Sequence, residues 1–378
     1  MVKTWKVRAV DDLDGSVLKK ASRFLQTFLP GGVAPVWSAD HFRWKLGEAN
    51  PAGRGFMTLA VHEEDVIGTT TITRKRMWDG EKEVAAAEIG DTYSHPDFRR
   101  EGQAEVPYVS DGIRDEYLSR SVFGRLVTET RLRAEAAGIS LIYGTPNDAS
   151  VPGYVTRLGF FDYSSHNNRY YVRPGAGSLT SRLTLLRPMR GLMHAVDRGF
   201  ARALRAQSSL FRNLEVRLNV ASDDDLDGLW LRLRPNTAFG LLRDSAYFRH
   251  RFAENPLAQY EIWTVYKSGV ICGVYVSRTV TRSDGFRNCF LADWLLDHSV
   301  PGIFRFVVSH FIADNYNNDI KTYAFWAEHD WAKAQGLLRL GVVARARLPI
   351  IFYDRPESRS LAASHPVLGF TLAASDNI

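Results

Sequence analysis

The chain has 378 residues, 45% of them hydrophobic and 24% charged, with a formal net charge of +6 and two cysteines. That length exceeds what one hydrophobic core usually serves, so two domains are expected, and the composition excludes a disordered or disulfide-stapled chain. The positive charge favours anionic partners, coenzyme A, nucleotide sugars and RNA among them, without choosing between them.

Residues 1–6 carry no apolar signal core, and no stretch has the uncharged length that a bilayer span needs. A soluble, cytoplasmic protein that engages no membrane is expected. Cys272 and Cys289 show neither metal-ligand spacing nor a disulfide framework, which fits a reducing compartment, and no metal and no DNA are called for.

Residues 7–10 read as a short strand, followed by a helix start at Asp11-Asp12-Leu13-Asp14 and an apolar-periodic run through Leu18, Phe24, Leu25 and Leu29. Residues 56–61 and 66–72 read as two strands joined by the acidic turn Glu63-Glu64-Asp65, a hairpin. A third strand is expected at 84–91, a helix at 123–137 ending at Gly138, a buried strand at 139–144, then a short helix and Phe160-Phe161. Residues 175–213 interleave Arg182, Arg187, Arg190, Arg198, Arg202, Arg205 and Arg212 with apolar residues. Helical periodicity there points to an amphipathic bridge packing on both halves, its arginines forming a solvated face or an anion- or RNA-tracking one.

The second half repeats the first. His41-Phe42-Arg43-Trp44-Lys45 through Asn50-Pro51 aligns with Tyr247-Phe248-Arg249-His250-Arg251 through Asn255-Pro256, Val66-Ile67-Gly68 with Val270-Ile271-Cys272-Gly273, and Leu158-Gly159 with Leu340-Gly341. The starts match too, at Asp11-Asp12-Leu13-Asp14-Gly15 and Asp224-Asp225-Leu226-Asp227-Gly228. Two copies of one α/β unit are expected: residues 1–174, a basic helical linker over 175–213, and residues 214–378.

The chemistry concentrates after the third strand, where Asp91-Thr92-Tyr93-Ser94 leads through Pro96 into Arg99-Arg100-Glu101-Gly102-Gln103-Ala104. Such a turn can aim successive backbone N–H groups at a diphosphate, glycine permits close approach, and a following helix adds its positive dipole end. The run Arg-x-x-Gly-x-Ala resembles the diphosphate loop of the GNAT superfamily of acyl-CoA-dependent transferases. Thr145-Pro146-Asn147 and Tyr154 through Leu158-Gly159-Phe160 are similar to that family's Asn, Tyr and Leu-Gly-Phe sequence. The resemblance covers residues 1–170, most clearly 56–163.

The resemblance implies two GNAT-like domains with mixed, mostly antiparallel sheets flanked by helices. Acetyl-CoA or another acyl-CoA would be held by Thr92, Tyr93, Ser94, Arg99, Arg100, Glu101, Gly102, Gln103, Ala104 and Asn147. It also implies direct attack of a small-molecule amine on the acyl carbonyl, in a biosynthetic setting, with no acyl-enzyme. Glu88 or Asp91 would take the proton, and Tyr154 would protonate the leaving thiolate or else pack as an aromatic in a short helix. Glu88 and Asp91, an odd number apart, should point to opposite faces of a regular strand, which leaves one of them for the acceptor, with a slight lean to Asp91; each could equally be a solvent or turn-stabilising carboxylate.

Two departures stand out. Residues 103–121 interrupt the passage from turn to helix, so that either Gln103-Ala104 begins the helix or the loop balloons out and the helix restarts near Ser121. Tyr154 stands one place earlier before Gly159 than the family's general-acid Tyr. His41 and His95 read as structural, whereas Trp37, Trp44 and Trp78 wall an acceptor pocket or pack in a core. The second copy carries Asp297-His298-Ser299-Val300-Pro301-Gly302 in place of the turn and should bind no coenzyme A, with Trp326, Glu328 and His329 either lending acceptor-site walls or edging a strand. Aminoacyl-tRNA as the donor, as in Fem-type tandem GNAT-fold transferases, and a non-catalytic sensing or scaffold module are the competing readings.

Overall fold

The opening strand β1 (Lys3–Val10) buries Trp5 on one face and Val10 on the other and exposes Lys6 and Arg8 between them. Helices α1 (Gly15–Phe28) and α2 (Ala39–Leu46) follow, the latter capped by Ser38, whose hydroxyl accepts from the His41 amide at 3.1 Å. The expected hairpin forms from β2 (Phe56–His62) and β3 (Asp65–Trp78), and the third strand is β4 (Glu83–Ser94). The computed structural model describes the whole chain except residues 1–2, 11–12, 14, 29–36, 100–101, 105–112, 164–167, 176–189, 210, 212, 220, 238, 283, 317–319, 348, 355–367 and 376–378.

Beyond β4 come β5 (Gly102–Ala104), α3 (Ile113–Arg120), α4 (Val122–Ala136), β6 (Leu141–Gly144), β7 (Phe161–Asp162) and β8 (Asn168–Pro174). The helix α5 (Arg190–Ser209) then leads to β9 (Leu214–Leu218), α6 (Asp223–Leu233), β10 (Phe239–Leu241), α7 (Ser245–Phe248), β11 (Glu261–Lys267), β12 (Val270–Thr281) and β13 (Arg287–Leu296). The chain closes with α8 (Ile303–Asp314), β14 (Ile320–Glu328), α9 (His329–Ala334), β15 (Val343–Arg347), β16 (Ile351–Asp354) and β17 (Leu368–Gly369). The expected duplication is present element by element: β1, β2, β3, β4, α4 and β6 of the first copy reappear as β9, β11, β12, β13, α8 and β14.

One sheet runs β5-β1-β2-β3-β4-β6-β16-β7, with β10 joined to β3 and β17 to β10. The other runs β15-β8-β14-β13-β12-β11-β9. Both are mostly antiparallel, with parallel pairs at β4–β6 and β13–β14. The sheets cross the expected division of the chain. β8, within residues 1–174, lies between β14 and β15, whereas β16, from the second half, lies between β6 and β7. Each copy therefore lends the other the strand at the corresponding place.

α4 covers one face of the first sheet through Val127 and Ala134 against Ile72, Ala87 and Ile142, and α1 and α2 cover the other through Leu18, Leu25, Phe42 and Leu46. The start of α4 sits so close that a Cβ on Gly68 would fall 2.8 Å from both Leu126 and Val122, and the equivalent Gly273 would meet Leu296 at 2.6 Å. Neither position has room for a side chain, which explains the repeated glycine. The arginine-rich helix α5 packs on the second sheet, where it touches both halves of the chain: Phe200 and Leu204 enter the second core, Arg205 donates to the Ala313 carbonyl at 3.0 Å, and Asp197 pairs with Arg173 of β8 at 2.8 Å. Arg198, Arg202 and Arg205 form an exposed face, Arg182, Arg187 and Arg212 lie outside the described residues, and so does the side chain of Arg190. No described helix is long and apolar enough to cross a membrane.

Candidate functional site

The first sheet forks at its centre. β4 and β6 pair only from Ala86–Leu141 to Glu88–Tyr143, and beyond that they part. Just past the fork β4 bulges: Gly90 pairs with Thr71 and Tyr93 with Thr69, so Asp91 and Thr92 together oppose Thr70. Asp91 takes φ 49°, a left-handed conformation uncommon outside glycine, Asn and Asp. The bulge also undoes the alternation argument, because its extra residue brings Glu88 and Asp91 to the same cavity.

That cavity, of about 140 Å³, fills the fork and is lined by Trp37, Glu88, Asp91, Thr92, Asn147 and Tyr154 among others. Asp91 is saturated with donors. Lys45 Nζ lies 2.7 Å from Oδ2, the Thr71 hydroxyl donates to the same oxygen at 2.8 Å, and Trp37 Nε1 donates to Oδ1 at 3.1 Å. Burial by itself would raise the Asp91 pKa, but the Lys45 charge and hydrogen bond, with His41 and Thr71 behind them, outweigh it and hold the carboxyl below the usual range. Such a group is a poor proton acceptor. Glu88, equally enclosed, has a looser partner in Lys75, 3.4 Å away.

Tyr154 enters from the turn Gly153–Arg157, which has π-helical hydrogen bonding. A π-turn holds one residue more than an α-helical turn, so it absorbs the one-place offset of Tyr154 before Gly159. Its hydroxyl donates to Thr92 Oγ1 at 3.1 Å, and burial, opposed by that hydrogen bond, pushes its pKa up to about 12. It stays protonated at neutral pH.

The cavity shares Thr92, Phe123, Asn147 and Ser150 with a groove of about 950 Å³. Tyr93, Ser94 and Arg99 line the groove, joined by Glu116, Tyr117, Arg120, Ser121, Ser150 and Arg157. Arg99 donates through Nε to the Ser94 carbonyl at 3.2 Å, lies over the Tyr93 ring, and bridges to Ser121. Ser121 caps α4, accepting from the Gly124 amide at 3.0 Å, so the helix restarts at Ser121, beside Arg99. The N-terminus of a 15-residue helix thus opens onto the groove beside a guanidinium.

The reading in which Gln103-Ala104 begins the helix is corrected: Gly102–Ala104 is β5, paired with Lys3–Trp5 of β1, and Ala104 packs against Trp5 and Phe98. Ala104 is not among the groove's lining, and Arg100 and Glu101 lie outside the described residues, as do the side-chain positions of Gly102 and Gln103. Tyr117 and Arg120 were not singled out in the sequence because an insertion gives no motif to read. Helix α3, tied to the π-turn by Arg157 over the Tyr117 ring at 5.5 Å, delivers them.

His95 accepts from the Asp97 amide and packs on Phe28, and His41 is buried against Phe42 and Trp44, both in structural places. Trp37 walls the cavity, whereas Trp78 packs on Trp230 in a core. Glu328 caps α9, and His329 Nδ1 lies 2.8 Å from the Tyr171 hydroxyl. Trp326 is buried in the second sheet, so none of the three lines the cavity or groove.

The second copy repeats the bulge without the opening. Val276 pairs with Asp293 and Ser277 with Leu291, leaving Ala292 extra. Asp293 is fully buried, bonded to Arg243, Tyr247 and Thr371. Where the first copy has Thr92 and a polar mouth, Trp294, Phe304, Phe325 and Trp331 pack ring on ring.

No family model and no curated protein matches the sequence. Among solved structures, the chain is similar to a GCN5-related N-acetyltransferase from Anabaena variabilis, with 12% identity over 92% of this chain and 72% of that one and a TM-score of 0.54. It is also similar to N-myristoyltransferase from Saccharomyces cerevisiae with bound myristoyl-CoA, at 12% identity over 93% and 83% and a TM-score of 0.57. A probable N-acyltransferase from Enterococcus faecalis follows at 10% identity over 93% and 72%, with a TM-score of 0.53. The fold is therefore that of the GNAT superfamily, in a tandem arrangement that spans both halves.

Proposed function

We propose that the protein is an N-acyltransferase that moves an acyl group, acetyl by default, from acyl-coenzyme A to the amine of a small molecule. The observation that carries this reading is the groove over the α4 N-terminus running into the fork at the β4 bulge. Arg99, Arg120 and the first amides of α4 suit a diphosphate. The shared residues Thr92, Phe123, Asn147 and Ser150 mark where thioester and amine would meet.

At that junction the bulge leaves the backbone of Asp91 and Thr92 outside the regular ladder, available to polarise the acyl carbonyl. The amine attacks the carbonyl carbon, the carbon–sulfur bond breaks, and the sulfur leaves as a thiolate. Glu88 takes the amine proton, because Asp91 is already neutralised by Lys45. Tyr154, with a pKa near 12, acts as a hydrogen-bond donor to the thiolate more than as a full acid, since a thiol titrates at about 8.5 and transfer would run uphill. Asp91 positions the bulge. The second half supplies strand β16, whose Ile351 lines the cavity.

Calorimetric titration with acetyl-CoA tests the reading: saturable one-to-one binding supports it, and the absence of heat at millimolar acetyl-CoA refutes it. Longer acyl-CoAs and an aminoacyl-tRNA belong in the same series, to rank the donors.

A further inference from the structure

The two copies meet through equivalent residues. Trp44 and His250, which align in the repeat, stack at 5.0 Å, and each bonds the other's carbonyl, Trp44 Nε1 to His250 O at 3.0 Å and His250 Nε2 to Trp44 O at 3.2 Å. Their neighbours Lys45 and Arg251 also align. Beside this seam lies a cavity of about 40 Å³, room for roughly three waters by the usual measure of a water-sized void.

Its walls carry Lys45, Arg74, Lys75, Arg76, His250 and Arg251, and no carboxylate is among the described residues that line it. The hydroxyl of Thr73, buried in the same wall, has no hydrogen-bond partner. A buried hydroxyl left without a partner is costly, and an anionic group in this cavity would supply its acceptor beside Lys75, while Arg76 is already held by Glu83 and Asp244. The cavity shares Arg74, Lys75 and Arg76 with an open cleft of about 400 Å³, which supplies a path from solvent.

Two ion pairs reach from this cavity to the fork. Lys45 and Lys75 face the seam, while their partners Asp91 and Glu88 line the fork. The Lys45–Asp91 contact is 2.7 Å, whereas Lys75–Glu88 is longer at 3.4 Å.

Resting on the transferase reading, we propose that the acceptor is a zwitterion, an amine that also bears a carboxylate or phosphate, and that it inserts into the Lys75–Glu88 pair. Its anion takes the Lys75 ammonium and the Thr73 hydroxyl in the seam cavity, with Arg251 behind. Its ammonium takes Glu88, which then accepts the proton that frees the nucleophile. A neutral or purely cationic amine satisfies only one end of the exchange. Sharing Lys75 with a second anion also leaves Glu88 a better proton acceptor, so correct binding and activation are one event.

The test is calorimetry of inorganic phosphate into the full chain with 1 mM coenzyme A present to occupy the donor groove, on wild type, Thr73→Val and Arg251→Lys. Acetyl transfer to paired amines then follows: amino acids against their amides, and glucosamine 6-phosphate against glucosamine. Phosphate affinity is expected to fall at least fivefold in Thr73→Val with an unchanged or higher melting temperature, and the anionic member of a pair should be acylated at least tenfold faster. Phosphate binding that ignores both substitutions, no phosphate binding at 10 mM, or equal rates for acids and amides would overturn the proposal. If coenzyme A gives no heat while the Thr73-dependent phosphate response persists, the donor assignment fails and the anion site stands.

Discussion

The two bulges, one in each copy, show how little need change for a site to open or close. Each lies on the fourth strand of its copy, and each centres on a buried aspartate neutralised by a cation from the segment around the second helix, Asp91 by Lys45 and Asp293 by Arg243. The difference is in the neighbours. Around Asp91 the strands part over threonine, glycine and asparagine, leaving a cavity, whereas Trp294 and its aromatic neighbours fill the space beside Asp293, sealed further by Tyr247 and Thr371 from outside the strand. The buried ion pair therefore belongs to the scaffold, and the residues flanking it decide whether chemistry follows.

The largest test of that comparison is to remove both carboxylates in turn. Asp91→Asn strands Lys45 and Asp293→Asn strands Arg243, and each should cost about 3–5 kcal/mol in denaturant unfolding, as buried pairs do when one partner goes. A loss at Asp293 much smaller than at Asp91 would break the equivalence. Because the folded pKa of Asp91 is depressed, its contribution is present above the ordinary carboxylate range and disappears as pH falls through the folded value, so the Asp91→Asn difference should shrink in acid.

Glu88 has the opposite character. Glu88→Gln should lower turnover roughly 100-fold or more while acetyl-CoA binding, read by calorimetry, stays the same. Equal turnover would remove the carboxylate from the chemistry. Arg99→Ala should weaken acetyl-CoA about tenfold, the scale of one charge-assisted contact, without moving the unfolding midpoint much. The smallest effect is expected of Tyr154→Phe: a turnover loss of a few fold to about tenfold, and about 1 kcal/mol or less of stability for the bond to Thr92. With its pKa near 12, Tyr154 should leave no mark on the pH–rate profile below about pH 10.

Much of this was legible in the residues. The Asn-Pro echo does the same work twice: Asn50 and Asn255 each donate to the carbonyl five or four residues back, Lys45 and Arg251, and each accepts an amide two residues on. Gly68 and Gly273 each sit where a Cβ would clash, the first against helix α4 and the second against Leu296 of the neighbouring strand. The bulge was hidden because Asp91 adopts positive φ without the glycine that would announce it, and a one-residue insertion reverses every facing argument downstream. The fate of Gly102–Ala104 was hidden for a different reason: three residues of edge strand carry no period to read, and pairing with β1 is a non-local choice. Strand exchange is invisible to local patterning, since a four-residue strand buried at both Ile351 and Phe352 fits the middle of either sheet, and its partner is a non-local choice.

That exchange bears on how the chain is made. When residues 1–174 have left the ribosome, β6 has no neighbour on its outer side, and it keeps an open edge until β16, some 180 residues later, is synthesised. Such an edge invites mispairing, and the long closure slows folding. The nascent first copy is thus committed to wait for its twin, and a fragment expressed alone would carry the donor groove on an unfinished sheet.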